Sequence, residues 1–181
     1  ISNARNKVLN YIKKLNYDYG CFLDDDCIVE SNFLESHLNF IKINSCDIVG
    51  GPQLYKSKHS FFRALELNKK DNSTVRWVST NNVFFSKNAI PKKINFSNVV
   101  TKYGFGEDQL FFSKLSILGK NIKWHHNPVF EIVQKEREYL MWFLLRNFRY
   151  GLTGILIDRE LYGNFYAYLL NILKALFNLL K

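Results

Sequence analysis

The sequence predicts an α/β fold: a mostly parallel sheet flanked by helices, followed by amphipathic helices at the C-terminus. Three observations predict it. Two short apolar runs, Cys21-Phe22-Leu23 and Ile48-Val49, bracket a stretch of helical periodicity. That is the order of a βαβ unit and makes a parallel pair the economical reading. The first run stops on Asp24-Asp25-Asp26. Adjacent carboxylates repel each other, so they belong at a strand's end, where α/β sheets bind ligands. From Arg137 onward the chain reads as apolar helix carrying a narrow polar stripe.

The elements follow in order. Residues 2–15 read as a helix capped by Ser2, with Ala4, Val8, Ile12 and Leu15 on one face. Asn16–Tyr19 is a turn, and Cys21–Leu23 a short buried strand. Asn32 and Glu35 have capping-box spacing for a second helix, whose inner face is Leu34, Leu38 and Ile41. Asp47-Ile48-Val49-Gly50-Gly51-Pro52 is a strand breaking into a glycine turn. Residues 53–74 are polar, with a short helix around Phe61–Leu67. Val75–Phe85 is β-rich, and its Ser79-Thr80-Asn81-Asn82 either satisfies local backbone or lines a polar pocket. Pro91–Lys102 is a loop. A helix follows through Leu110, Phe111, Leu115 and Leu118, and Gly119 ends it. Ile122–Trp124 is a strand, followed by His125 and His126. In the last helical region Gly151 and Gly154 are interruptions.

With 181 residues, 47% hydrophobic and 23% charged, the chain is long and apolar enough for one domain with a real core, and it is not a disordered segment. A net charge of +9 and pI ≈ 9.4 call for an anionic partner: nucleic acid, nucleotide phosphates or an acidic membrane leaflet. Charge alone does not choose among them. Three cysteines, an odd count without a CxxC pair, argue against a disulfide framework and read as buried, reduced thiols. No signal peptide is visible. The chain opens on Ile1-Ser2-Asn3, so it is expected to start inside a longer protein.

Two groups of residues suggest chemistry. The triple Asp is either a polar loop or a site for a hard divalent cation, which prefers oxygen ligands. Gly104-x-Gly106-Glu107-Asp108 places two acids on a helix's first turn. The macrodipole favours acids there in any case, but the glycines permit close approach of a ligand, and an acid on such a loop can be aimed as a base. A cation-binding cluster beside a separate base suits group transfer from an activated phosphate ester.

The order Ala4-Arg5-Asn6, Phe22-Leu23-Asp24-Asp25-Asp26, Asp47-Ile48-Val49-Gly50-Gly51-Pro52, Asn81-Asn82, Gly106-Glu107-Asp108 and Arg146-Asn147-Phe148-Arg149-Tyr150-Gly151 resembles family 2 glycosyltransferases of the GT-A fold. The likeness runs through residues 1–151. It implies a GT-A-like, Rossmann-like domain over 1–134 and a helical, membrane-interfacial segment over 135–181. Asp24 and Asp26 match the acids of the family's DxD motif. The resemblance assigns Asp24 to the nucleoside or its ribose, Asp26 to Mn²⁺ or Mg²⁺ bridging the diphosphate, and Asp25 to the sugar side. Asp108 matches the base of an inverting displacement, and Glu107 is its acidic neighbour. Arg5 and Asn6 match a helix start near the nucleotide, and Asn82 a position near the donor sugar. His125 or His126 is either the third metal ligand that some members use or a polar strand-end residue. Arg146 and Arg149 match a basic segment that faces the diphosphate, with a solvated face or lipid headgroups as the alternative.

The resemblance implies a nucleotide-diphosphate-sugar donor and a lipid-linked or saccharide acceptor. The membrane surface is a further partner, nucleic acid is not, and the location is the cytoplasmic face, bound peripherally. The strand–helix–strand segment that opens members of the family is not present ahead of Ala4, so the domain is expected to be N-terminally truncated. Arg149-Tyr150 stands where processive members carry Arg-Trp, which favours single additions. The competing classes are a palm-type nucleotidyltransferase and a non-catalytic, membrane-associated remnant. The apolar tail from Leu161 lies in a membrane interface, packs on a protein surface, or begins a membrane span.

Overall fold

In this computed structural model the described residues are 2–56, 69–100, 106–132, 137 and 139–179. The expected helix at Phe61–Leu67, and Gly104, lie outside them. The elements are α1 (Ser2–Ile12), β1 (Tyr19–Leu23), β2 (Cys27–Ile28), α2 (Phe33–Asn44), β3 (Ile48–Gly50), β4 (Gln53–Lys56), β5 (Asn82–Ser86), α3 (Glu107–Ile117), β6 (Ile122–Trp124), β7 (Val129–Ile132) and α4 (Leu140–Leu179).

The main sheet has the order β1-β5-β3-β6. β5 is antiparallel to both β1 and β3, while β3 and β6 are parallel. Three of the four strands therefore point the same way, as a mostly parallel sheet requires. The expected β1–β3 pair does not form, because β5 inserts between them. Val83-Phe84-Phe85 is apolar on both faces and suits that doubly covered central position. A smaller sheet, β2-β7-β4, lies beside it. The polar composition of 53–56 concealed β4, and β7 was likewise not expected.

α1 and α3 cover one face of the main sheet and α2 the other. Leu9, Ile48, Val83, Phe85, Phe111, Leu115 and Ile122 belong to the first core cluster. Phe40, Ile41, Val49 and Phe84 belong to the second. Two helix faces differ from expectation. α1 buries Ser2 and Leu9 and leaves Val8 and Leu15 exposed; Ser2 does not cap it but donates to the Ser97 carbonyl. α2 buries Phe33, His37, Phe40 and Ile41 and exposes Leu34, and Asn32 makes no side-chain cap bond. Both errors have one cause: several polar side chains find internal partners and take the inward positions.

β1 is half-exposed along this edge of the sheet rather than buried. Of the three cysteines only Cys46 is buried. Gly119 follows α3 with φ +84°, as expected of a residue ending a helix. Gly151 and Gly154 do not interrupt α4, whose break is Gly163 at φ 80° and ψ 168°. A helix tolerates glycine at a modest cost, but an extended left-handed conformation ends it.

Candidate active site

The carboxyl ends of β1, β3 and β6 and the start of β5 meet at one sheet edge, since Leu23 pairs with Asn82 and Gly50 with both Val83 and Trp124. Beyond β1 the chain turns tightly, with the Cys27 N–H donating to the Asp24 carbonyl at 3.2 Å. The turn presents Asp25 and Asp26 to solvent and leaves Asp24 half-buried. β2 then departs to pair with β7, so the Asp turn is not the hairpin of a palm domain.

α3 brings the second pair of acids. Its N-cap Gly106 has φ 92°. A Cβ there would lie 3.1 Å from Ile157 Cδ1 in α4. The positive φ favours glycine, the space around it is tight, and it sets Glu107 and Asp108 on the first turn. Asp108 Oδ2 accepts a hydrogen bond from Ser79 Oγ at 3.1 Å.

Arg5 joins the two halves. Its guanidinium donates to the buried Glu107 and stands 4.0 Å from Asp24. Burial pushes the Asp24 carboxyl up. Arg5 opposes that shift, and the charges of Asp26, Asp108 and Asp25 reinforce it. The acids of the β1 turn and those of α3 therefore share one electrostatic site. One oxygen of Glu107, Oε2, is buried without a partner among the described residues.

The donor set fits a hard divalent cation in a particular way. Among the described residues no group of three or more His, Cys, Asp or Glu is placed to hold a metal. The Asp turn nevertheless offers oxygen ligands, and Mg²⁺-like ions use one or two carboxylates together with substrate phosphates. His126 does not join them. Its Nε2 faces the Lys69 carbonyl at 2.6 Å, and its backbone N–H donates to Asp71.

Two further candidate residues are engaged internally. Asn6 exchanges both hydrogen bonds of its carboxamide with the backbone of Phe96 and so fastens α1 to that loop. Asn82 is wholly buried and donates to the carbonyls of Pro52 and Asn127, while its Oδ1 meets His37 Nε2. It is a structural post under the Gly51 turn, not a group turned to a sugar. Arg146 lies over the rings of Trp142 and Tyr150, and Arg149 is exposed.

Sequence reasoning missed a buried polar chain. Asn81 donates to Gln53, Gln53 to Glu131, and Arg137 to Glu131 at 3.0 Å. Burial raises the Glu131 carboxyl, and the charge of Asp26 raises it further. The signal was a lone acid inside the apolar strand Val129-Phe130-Glu131-Ile132.

With this geometry in place, comparison with known proteins decides the family. The family model described as Glycosyl transferase family 2 matches residues 1–111, more than half of the chain. The chain belongs to glycosyl transferase family 2. No curated protein matches this family member. Among solved structures it is similar to A197 from STIV, with TM-score 0.52 and 19% identity, covering 74% of this chain and 68% of that one. It is similar to S. aureus TarS, with TM-score 0.57 and 16% identity, covering 88% of this chain and 27% of that one. TarS 1-349 in complex with UDP-GlcNAc gives TM-score 0.56 and 13% identity over 86% of this chain and 47% of that one. This family member thus has the GT-A fold and spans less than half the length of those TarS chains.

Proposed function

We propose that the protein transfers a sugar, with inversion, from a nucleotide-diphosphate-sugar to a hydroxyl of a lipid-linked or polysaccharide acceptor. The observation that carries this reading is Arg5, which binds Glu107 and neighbours Asp24 in one site with Asp108. The similarity to a structure holding UDP-GlcNAc supports a nucleotide-sugar donor.

Asp24 and Asp26 would hold Mn²⁺ or Mg²⁺, which when bound supplies positive charge to the diphosphate leaving group. Asp24 lies on the nucleoside side and Asp25 toward the sugar. Arg5 orients Asp24 and compensates the charge of Glu107. Asp108 takes the proton from the acceptor hydroxyl as that oxygen attacks the anomeric carbon. Ser79 Oγ and the Gln109 N–H each donate to one carboxylate oxygen of Asp108 and fix its orientation, and each oxygen keeps a second lone pair for the hydroxyl proton. Arg146 and Arg149 would meet phosphate or lipid headgroups.

The acceptor side points to an anionic membrane surface on the cytoplasmic side. No described helix is long and apolar enough to cross a membrane. α4 instead exposes Leu140, Met141, Leu144, Phe148, Phe165 and Tyr168 beside its basic residues, a composition suited to lying in an interface.

Release of nucleoside diphosphate from a panel of nucleotide sugars, with vesicles carrying a lipid-linked acceptor, tests the reading. Asp108→Asn is expected to lower transfer by about 10²–10⁴-fold while donor affinity holds. Asp26→Ala is expected to abolish stimulation by Mn²⁺. Full activity in the first variant sinks the base assignment, and undiminished Mn²⁺ stimulation in the second sinks the metal assignment. A protein that binds no nucleotide sugar favours the non-catalytic remnant.

A further inference from the structure

The geometry points to a second catalytic site, a serine nucleophile for neutral carboxylic esters, on the sheet face covered by α2. It rests on side chains that the sugar-transfer reading does not use. Ser36 Oγ lies 2.9 Å from His125 Nε2. On the other side of the ring, His125 Nδ1 lies 3.1 Å from Asp71 Oδ1. Asp71 accepts only, so Nδ1 carries the hydrogen and Nε2 presents its lone pair to the Ser36 hydroxyl. That is the tautomer a general base needs. The ring is held in place by stacking on Phe40 at 4.2 Å, with the edge of His37 at 5.7 Å. Asp71 is itself fixed by the His126 backbone N–H at 2.8 Å. A nucleophile, a base and an orienting acid in hydrogen-bonded sequence are recognised by geometry and role, whatever the fold around them.

The chain opens onto a surface. Ser36 and His125 line a groove of about 480 Å³ together with Asn32, Glu35, Phe40 and Ile43. Ser36 Oγ bonds His125 rather than a carbonyl of its own helix. At the start of α2 the Phe33 N–H donates to the Glu30 carbonyl and the Ser36 N–H to the Asn32 carbonyl. Asn32 makes no side-chain cap bond, and the Leu34 and Glu35 N–H groups have no acceptor among the described residues. Glu35 lines the same groove as Ser36, so the positive end of this helix lies on the serine's side, where it favours a developing oxyanion. The Glu35 carboxylate in the groove disfavours anionic substrates, and Phe40 and Ile43 favour an apolar acyl group.

The reaction balances with water alone. Ser36 Oγ bonds to the ester carbonyl carbon while its proton passes to His125 Nε2, and the carbonyl electron pair moves to oxygen. Collapse breaks the bond to the alcohol, which leaves with the proton from His125. Water then attacks the acyl carbon, gives a proton to His125, and the acid departs as Ser36 regains its hydrogen. Asp71 acts through His125 and is a positioning residue.

The test treats the full chain with a fluorophosphonate probe, maps the adduct by mass spectrometry, and follows hydrolysis of p-nitrophenyl butyrate. The expected result is an adduct on Ser36 that Ser36→Ala removes. Because His125 also packs on Phe40, the deciding variant is Asp71→Asn, checked for an unchanged melting temperature. It is expected to slow labelling and lower kcat by at least about 100-fold with KM little changed. An unlabelled Ser36 in folded protein overturns the proposal. So does labelling of Asp71→Asn at the wild-type rate, which reveals a serine without an activating base.

Discussion

Arg5 is the residue on which the two halves of the transfer site depend. Glu107 is a nearly buried carboxylate whose ion-pair partner is Arg5. Removing one member of a buried pair leaves an uncompensated charge, which costs about 3–5 kcal/mol. Arg5→Ala is therefore expected to lower unfolding free energy by about 3 kcal/mol in urea titrations. Arg5→Ala with Glu107→Gln should recover part of that loss; no recovery in the double variant rejects the pairing argument. His37 gives the pH counterpart. Asn82 donates to two carbonyls, so its Oδ1 must accept from His37 Nε2–H, leaving a neutral ring whose Nδ1 is buried without a partner among the described residues. Burial lowers its pKa from 6.5 to about 4. The folded state resists protonation, so this contribution is whole above pH 6.5 and is lost as pH falls toward 4, by up to about 3 kcal/mol. His37→Gln keeps an N–H donor but does not titrate. Its stability is expected to fall less than wild type between pH 7 and 4.5, and parallel curves count against the assignment.

At the scale of elements, α3 is aimed by what precedes it and what lies behind it. Its buried Leu110 packs with Val100 and with Ile157 of α4, while Phe111, Phe112 and Leu115 face the sheet. A helix covered on both sides reads as apolar all round, so its period alone did not say which side faces the site. Gly106 resolves that through its positive φ and the tight space toward Ile157, which an added Cβ would crowd. Gly106→Ala is expected to cost about 1–3 kcal/mol and to reduce transfer by displacing Asp108. A melting temperature within a degree or so of wild type contradicts this. α2 shows why the capping-box reading failed. Asn32 has the right spacing to Glu35, yet its backbone, at φ −93° and ψ 9°, is not the extended conformation in which a cap side chain reaches back.

For the whole molecule, the feature that stands out is the apolar exterior of α4. Beyond Gly163 the helix folds back, and Lys174 and Asn171 reach Asp158 at 2.5 and 3.3 Å. Thr153, Ile157 and Ala167 are buried, but Phe148 and Tyr168 remain 66% and 73% exposed. Folded as a hairpin, the tail presents large side chains outward rather than forming one long rod. Phe148→Glu with Tyr168→Glu is expected to reduce flotation with anionic vesicles about tenfold or more, and added salt to weaken wild-type binding. Equal flotation of variant and wild type removes the membrane from the proposal.

What was legible in the sequence was local or ordered along the chain. The Asp run after an apolar strand, the Gly-Glu-Asp start of α3 and the order of the segments indicated a GT-A domain and its acids without coordinates. Those signals come from strand ends, helix first turns and glycine, each governed by neighbours in sequence. Contacts between distant segments were not legible there. The insertion of β5 between β1 and β3, the pairing of Arg5 with Glu107, the consumption of Asn6 and Asn82 as internal struts, and the chain through Ser36, His125 and Asp71 join residues far apart in sequence. A polar side chain looks the same in sequence whether it faces a ligand or a backbone carbonyl. Only the folded chain decides, because burial forces each polar atom to find a partner and the sheet determines which partners lie within reach.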